Sequence, residues 1–305
     1  MLTILGYALG GLAVASLVVV ISVYALSERR LTREYAVTPR TSPVATDARA
    51  VERGRHVVEA IAKCTACHGD KLEGRVVFDN PAMGRVVAPN LTRGIGGIGR
   101  SRTDLDLVRA IRHGIAPAGR PLLLMPSVEY AELSEPDLAA VIAYLKSIAP
   151  ADNPALPPRS GLGPIARALL LGDRLPILSA ELIDHDRAAP PAVPDAPSIA
   201  YGGYLARVGC VGCHGTTLAG GPVAAGDPSW PPASNLTSGG PTKSWSEAQF
   251  AMLLRTGIRP DSTPVNPAMP WRETGRMTDA EIRALWLYTR SIPAHTTGEA
   301  RTVQR

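Results

Sequence analysis

An all-α architecture, two tandem helical domains behind one N-terminal transmembrane helix, is what the sequence predicts, and three observations predict it. Residues Leu2 to Leu26 carry no charged side chain and are nearly all apolar. Two later segments, 48–150 and 199–295, repeat one another. Helix-start signals recur at matching places in both copies, while the period-two alternation of strands is almost absent.

The apolar run makes residues 1–27 the anchor. It is long enough to cross ~30 Å of hydrocarbon as a helix. A cleaved signal peptide would have a charged start and an apolar core of roughly 7–15 residues. Here the core is longer and its start lacks Lys or Arg, which favours an uncleaved anchor; processing after Ala25 is the alternative. Arg29, Arg30 and Arg33 follow it, and the bias of positive charge toward the cytoplasm would put that side inside. The cysteine motifs further along the chain demand export and overrule it, since a long following domain is translocated largely regardless of local charge.

Residues 28–47 form a spacer with Pro39 and Pro43. Residues 151–198 read as a proline-rich linker: from Pro150 to Pro197 the chain holds ten prolines. Within it, Ile165 to Leu171 is an apolar piece suited to one or two helical turns. Residues 296–305 are a tail.

The repeat itself is dense. Cys64-Thr-Ala-Cys67-His68-Gly69 matches Cys210-Val-Gly-Cys213-His214-Gly215, and Asn90-Leu91-Thr92 matches Asn235-Leu236-Thr237. Arg112 to Ile115 matches Arg255 to Ile258, and Met125-Pro126 matches Met269-Pro270. From there to Ser147-Ile148 and Ser291-Ile292 the two copies run without a gap. Thr103 with Asp106, Ser246 with Gln249, Ser134 with Asp137 and Thr278 with Glu281 each place a capping side chain three residues ahead of an acidic or amide one. Each domain should therefore hold a helix before the cysteines, one in the middle and one at the end.

Cys-x-x-Cys-His is the attachment pattern of c-type haem. On a helical turn, positions i, i+3 and i+4 share a face, so two thiols meet the porphyrin edge while the His lies under the iron. A zinc ribbon wants its two cysteine pairs 15–20 residues apart, and these are more than a hundred apart. A thioredoxin-like pair would need a βαβ context, which is missing. Cys64, Cys67, Cys210 and Cys213 are thus expected to carry two haems c, with His68 and His214 as proximal ligands.

A thioether suits the sixth position. Met125 and Met269 stand 61 and 59 residues after the first cysteine of their copies, each before a Pro that biases it toward extended backbone. No other Met recurs in both halves; Met252 and Met277 read as packing, and Met83 as a loop residue. His56, His113, His185 and His295 read as packing or surface. Gly94 to Gly99 satisfies G-x-G-x-x-G, but no strand precedes it and no βαβ unit surrounds it, so it is read as a loop rather than a nucleotide site.

Composition agrees. Aromatics are only 5% of the chain, with two Phe, and a buried porphyrin would supply missing core. The net charge of +5 is largely offset by the propionates of two haems, and no run of like charges argues for nucleic acid.

The two attachment motifs, the repeated Asn-Leu-Thr and the later Met-Pro resemble the class I cytochrome c family, and more narrowly the membrane-anchored bacterial dihaem cytochromes with tandem domains. The resemblance implies that the first and last helices of each domain cross at a Gly beside an aromatic, here Gly54 with Tyr144 and Gly202 or Gly203 with Tyr288. It implies that Asn90, Asn235 and Trp245 border the propionates, with Arg102 at the place matching Trp245. It further implies outer-sphere electron transfer rather than an enzyme, at the periplasmic side of the bacterial cytoplasmic membrane. Expected partners are a membrane dehydrogenase, an oxidase or a soluble electron carrier. Membership of a dehydrogenase or haem-copper oxidase complex is the alternative, and a dihaem peroxidase would need an exchangeable sixth position.

Overall fold

The computed structural model describes residues 2–39, 44 and 47–299. Pro43 of the spacer and residues 300–305 of the tail lie outside the described residues.

Helix α1 runs from Leu2 to Leu31 with mean hydropathy 2.4 over its apolar stretch, and the described protein buries none of that stretch. At ~1.5 Å per residue it is roughly 45 Å long. That exceeds the hydrocarbon thickness, so its last turns can emerge from a bilayer. Those turns are pinned. Arg30 grips Glu181 (2.7 Å) and Asp173 (2.8 Å) and donates to the Leu170 carbonyl. Arg167 donates to Ser27 (2.8 Å) and Glu28 (3.0 Å) and lies over the Tyr24 ring. Arg30 and Arg167 thus serve docking, and Arg33 stacks on Tyr35. The docking surface is α7, Pro164–Leu171, whose Ala166 and Leu170 are buried with Leu162, Ile177 and Leu178 against Leu31 and Met83. The apolar piece of the linker therefore covers the foot of the anchor.

In the first repeat, α2 (Ala48–His56) runs into a wide turn, Val57–Ile61, where the Ala62 N–H reaches back five residues to the Val57 carbonyl at 2.7 Å. A short α3 (Thr65–His68) follows, then α4 (Asp104–His113), α5 (Ser127–Tyr130) and α6 (Glu135–Ser147). The second repeat has α8 (Ile199–Gly209), α9 (Val211–His214), α10 (Glu247–Thr256), α11 (Trp271–Thr274) and α12 (Asp279–Ser291). The expected caps form. Thr103, Ser246 and Thr278 make capping boxes with Asp106, Gln249 and Glu281, and Ser134 accepts from the Asp137 N–H. Gly114 and Gly257 close α4 and α10 in left-handed conformation.

The first and last helices of each repeat cross where a Cβ will not fit. A side chain on Gly54 would overlap the Ala140 carbonyl beside Tyr144, and one on Gly202 would overlap the Ala284 carbonyl beside Tyr288. Gly202, rather than Gly203, is the crossing residue.

One small antiparallel sheet was not foreseen: β1 (Arg75–Asn80), β2 (Gly84–Ala88) and β3 (Gly161–Leu162), in that order. Its signals are Val76-Val77-Phe78 and Val86-Val87 around a turn in which Asn80 Oδ1 accepts from the Ala82 and Met83 N–H groups. β3 comes from the linker, so the linker also packs along the first repeat.

The two repeats share one hydrophobic core; Val57, Val58 and Ile61 belong to the same cluster as Tyr201, Tyr204 and Leu205. Contacts between them follow a pseudo-twofold pattern. His56 Nε2 meets Glu281 at 2.8 Å, and Tyr204 donates to Asp137 at 2.5 Å. Arg53 makes a two-pronged bond to Asp137 (2.7 and 2.9 Å) and also reaches the Tyr201 hydroxyl, which donates to Glu281 at 3.1 Å. At the rim, Arg207 pairs with Glu132 (3.2 Å) and Glu59 with Arg276 (3.3 Å).

Candidate haem-attachment sites

Each attachment motif is a single helical turn stopped by a glycine that only a residue without Cβ adopts easily, Gly69 at φ +86° and Gly215 at φ +78°. Within the turn, the His68 N–H donates to the Cys64 carbonyl at 2.9 Å and the His214 N–H to the Cys210 carbonyl at 3.0 Å. Two thiols and an imidazole are thereby held on one face in both copies. Three residues beyond each glycine, Leu72 and Leu218 both take φ +58° and are buried. This repeat of an unusual backbone was not legible as such in the sequence.

The imidazoles are oriented from behind. His68 Nδ1 donates to the Pro89 carbonyl and His214 Nδ1 to the Ser234 carbonyl, both at 2.8 Å. Committing Nδ1–H to a carbonyl selects the tautomer whose lone pair is on Nε2, the form that ligates a metal. Burial holds His68 below the usual imidazole range, which also keeps the ring neutral.

The thiols sit in apolar surroundings. Burial pushes Cys64 up to about 12 and raises Cys67 and Cys210 as well. A redox or metal-binding thiol is recognised by a lowered value, and Cys64, Cys67 and Cys210 shift the opposite way.

In the second repeat the motif opens on a cavity of about 650 Å³, within the size range of cofactor clefts. Cys210, Cys213 and His214 line it, and so do Met269, Trp230 and Trp245. Two thiols, an imidazole and a thioether around one apolar cleft fit a c-type haem. In the first repeat, Cys64 and Met125 are both half-buried against the shared core. The Met125 carbonyl accepts from Ser127 N–H (2.8 Å) and Ser179 Oγ (2.7 Å), which fixes that loop.

The residues expected at the propionates divide. Trp245 is on the cavity wall; Arg102 is half-buried at its matching place, its guanidinium 3.4 Å from Ser101 Oγ. Asn90 and Asn235 are buried, and their amides work inside the protein. Asn90 Nδ2 donates to the Ala151 carbonyl (2.7 Å) and Asn235 Nδ2 to the His295 carbonyl (2.8 Å), while their Oδ1 atoms accept from Thr92 and Thr237. Each pins its loop to the chain beyond the last helix; in the second repeat, the neighbours Ser234 and Leu236 face the cavity.

Among the other methionines, Met277 is core at 1% exposure, Met83 packs with the linker cluster, and Met252 is exposed rather than packed. His56 makes the inter-repeat contact described above. His113 and His185 meet through their Nδ1 atoms at 3.1 Å beside Tyr35. The glycine-rich segment is a turn-rich loop, in which the Ile98 N–H donates to the Asn90 carbonyl.

A helical domain, occurring twice, that offers two thiols and an oriented imidazole, with a thioether on the same cleft in the second copy, defines a c-type cytochrome. The chain matches the family described as cytochrome c oxidase, cbb3-type, subunit III, over residues 49–145 and 197–288, and it belongs to that family. It is 28% identical to a protein named dihaem cytochrome c-type of Cereibacter sphaeroides over 262 residues, covering 76% of this chain and 82% of the relative. It is 35% identical over 106 residues to the fructose dehydrogenase cytochrome subunit of Gluconobacter japonicus, covering 32% of this chain and 22% of that subunit. It is also 32% identical over 181 residues to the gluconate 2-dehydrogenase cytochrome c subunit of Pantoea cypripedii, 54% of this chain and 37% of that one. The chain thus spans about a fifth of the fructose dehydrogenase subunit's length.

Proposed function

We propose that this chain is a membrane-anchored electron relay carrying two haems c. Domain 48–150 holds one through Cys64 and Cys67, with His68 and Met125 as axial ligands. Domain 199–295 holds the other through Cys210 and Cys213, with His214 and Met269. When bound, each haem supplies a one-electron ferric–ferrous couple. The observation that carries this reading is the duplicated attachment turn with its imidazole tied to a carbonyl, together with the cleft that His214 and Met269 share.

The protein's own contribution is orientation and dryness. Nδ1–H bonds fix the rings, the shared core excludes water, and the Met-Pro loops hold a soft ligand that favours reduced iron. With His and Met holding each haem, no position would be left for peroxide, which separates this reading from a peroxidase. The haem domains lie on the periplasmic side; the docking of Arg30 on Glu181 and Asp173 gives one of the post-anchor arginines a structural reason to be there.

A second reading, favoured by the names of the dehydrogenase cytochrome subunits it resembles, makes the relay one subunit of a membrane dehydrogenase. Mild-detergent purification, with the haem-to-protein ratio read by alkaline pyridine spectra, tests the first reading. Two haems per chain are expected; one haem, or none, would overturn it. Mass spectrometry of co-purifying chains then distinguishes a lone relay from a subunit.

A further inference from the structure

Lys63 stands immediately before Cys64, and the matching residue before Cys210 is Gly209. The two repeats therefore present different residues at the same place, and those residues touch. Lys63 is 8% exposed, and its Nζ donates to the Ile61 carbonyl (3.0 Å) in its own repeat and to the Gly209 carbonyl (2.9 Å) in the other. Its side chain also lines the cavity of the second repeat, beside Cys210 and Cys213. Lys63 adopts φ +54°, a conformation that residues other than glycine, asparagine, aspartate and histidine seldom take. The first cysteine follows the crossing glycine by ten positions in the first repeat and by eight in the second. The wide turn at Val57–Ile61 and the left-handed Lys63 accommodate the longer segment.

The surroundings are closed by α5. Tyr130 donates to the Ala62 carbonyl at 2.7 Å. Glu129 lies so close over Gly212, the middle of the second attachment turn, that a Cβ there would overlap its carboxylate. A Cβ on Gly209 would come within 2.5 Å of Lys63 Nζ. An amine taken from water into such a place carries a desolvation penalty, and a residue whose only task was packing would be met as well by an apolar side chain of that length.

We propose that Lys63 is a positioning residue for electron exchange within the molecule, bridging the two attachment turns. This rests on the two-haem reading above. The bridge runs from Cys64 through the Lys63 peptide and side chain, across the Nζ–H···O bond to the Gly209 carbonyl, and so to Cys210. It ties the two attachment turns together, which would hold the two haems' points of attachment in a fixed relation, and places a donor at the wall of the second site. The exchange it serves moves one electron, one iron being oxidised as the other is reduced, with no bond made or broken and no proton moved.

The test compares Lys63→Met and Gly209→Ala with the unaltered full-length protein in detergent. Lys63→Met keeps the length and removes both hydrogen bonds; Gly209→Ala keeps the lysine and pushes it off its acceptor. Haem content and absorption spectra are read first. Two haems with unchanged spectra in each variant leave the two-haem reading intact; a deficit in the unaltered protein would sink that reading and this proposal with it, whereas unchanged exchange in fully loaded variants would sink this proposal alone. Internal exchange after flash reduction and the two midpoint potentials are then measured, with thermal melting alongside. Both variants should slow internal exchange about tenfold, equivalent to about 1.4 kcal/mol on the barrier. Lys63→Met should also lower the potential of the second-repeat haem more than that of the first, with stability little changed. Unchanged exchange and potentials in a folded Lys63→Met protein would overturn the proposal. Should that variant not fold, unchanged exchange in Gly209→Ala would overturn it equally.

Discussion

The two repeats keep the same crossing of first and last helices and the same attachment turn, yet they differ wherever they meet each other or cover the site. Arg53 and His56 on α2 stand where Tyr201 and Tyr204 stand on α8; His56 and Tyr204 reach the N-terminal carboxylate of the other repeat's last helix, and Arg53 and Tyr201 bond that of their own. At the rim the charges are exchanged, Glu59 facing Arg276 where Arg207 faces Glu132. Two copies of the first repeat placed in this geometry would set Glu59 against Glu132, and two of the second would set Arg207 against Arg276. The interface is thus complementary only between unlike repeats. Over the site, the first repeat has a hairpin and the second a proline-rich loop bearing Trp230. A duplicated framework has kept the positions that form the site and diversified those that form the pairing.

Four experiments would break or sharpen that contrast. The largest effect is expected at the shared feature. Gly54→Val and Gly202→Val each drive a side chain into a backbone carbonyl, and each should cost about 4 kcal/mol or more, read as loss of the cooperative thermal transition. A variant that melts normally at either position would show that the crossing is not tight there. Next come the buried carboxylates. Glu281→Ala strips partners from His56 and Tyr201 and removes the carboxylate half of the α12 capping box, with an expected loss of about 3 kcal/mol in denaturant midpoints. Asp137→Ala should cost less, about 2 kcal/mol, because Arg53 retains Glu281 and Asp195 nearby (3.7 and 3.6 Å).

The third concerns Glu129, whose carboxyl burial pushes up to about 7. The folded state then holds a proton that the unfolded chain releases near 4.5, so stability should fall as pH rises from about 4.5 to 7 and level off above. Glu129→Gln should flatten that dependence and raise stability at pH 8 by on the order of 2 kcal/mol. A slope that survives the substitution would assign it to another group. The smallest effect is at the rim. Glu132→Arg should cost about 0.5 kcal/mol, and adding Arg207→Glu should recover only part of it, because Arg187 also pairs with Glu132; a double-mutant cycle on melting will report the difference.

Much of the fold was legible because its signals are local. Capping pairs such as Thr103 with Asp106 act within one turn, the apolar run of α1 needs no partner, and a repeat can be read by matching letters. The attachment turns were legible for the same reason, since i, i+3 and i+4 fix a face whatever surrounds it. The hairpin at 75–88 was missed although Val76-Val77-Phe78 and Asn80 signal it, because all-helical neighbours on both sides outweighed a short pattern. Asn90 and Asn235 were expected at the propionates, but where an amide points depends on Ala151 and His295, some sixty residues away.

By itself, then, the sequence determined the anchor, the helical repeats, the attachment motifs and the methionines that recur with them. All of these depend on composition or on spacing within a few turns of chain. Only the tertiary structure decided that the linker clasps the anchor through Arg30 and Arg167, that His56 serves the other repeat, and that Lys63 reaches across to Gly209. Those contacts join residues about 140 to 225 positions apart. Such contacts exist only once loop closure and core burial have brought the two repeats together, and no local pattern encodes which distant group a buried charge will meet.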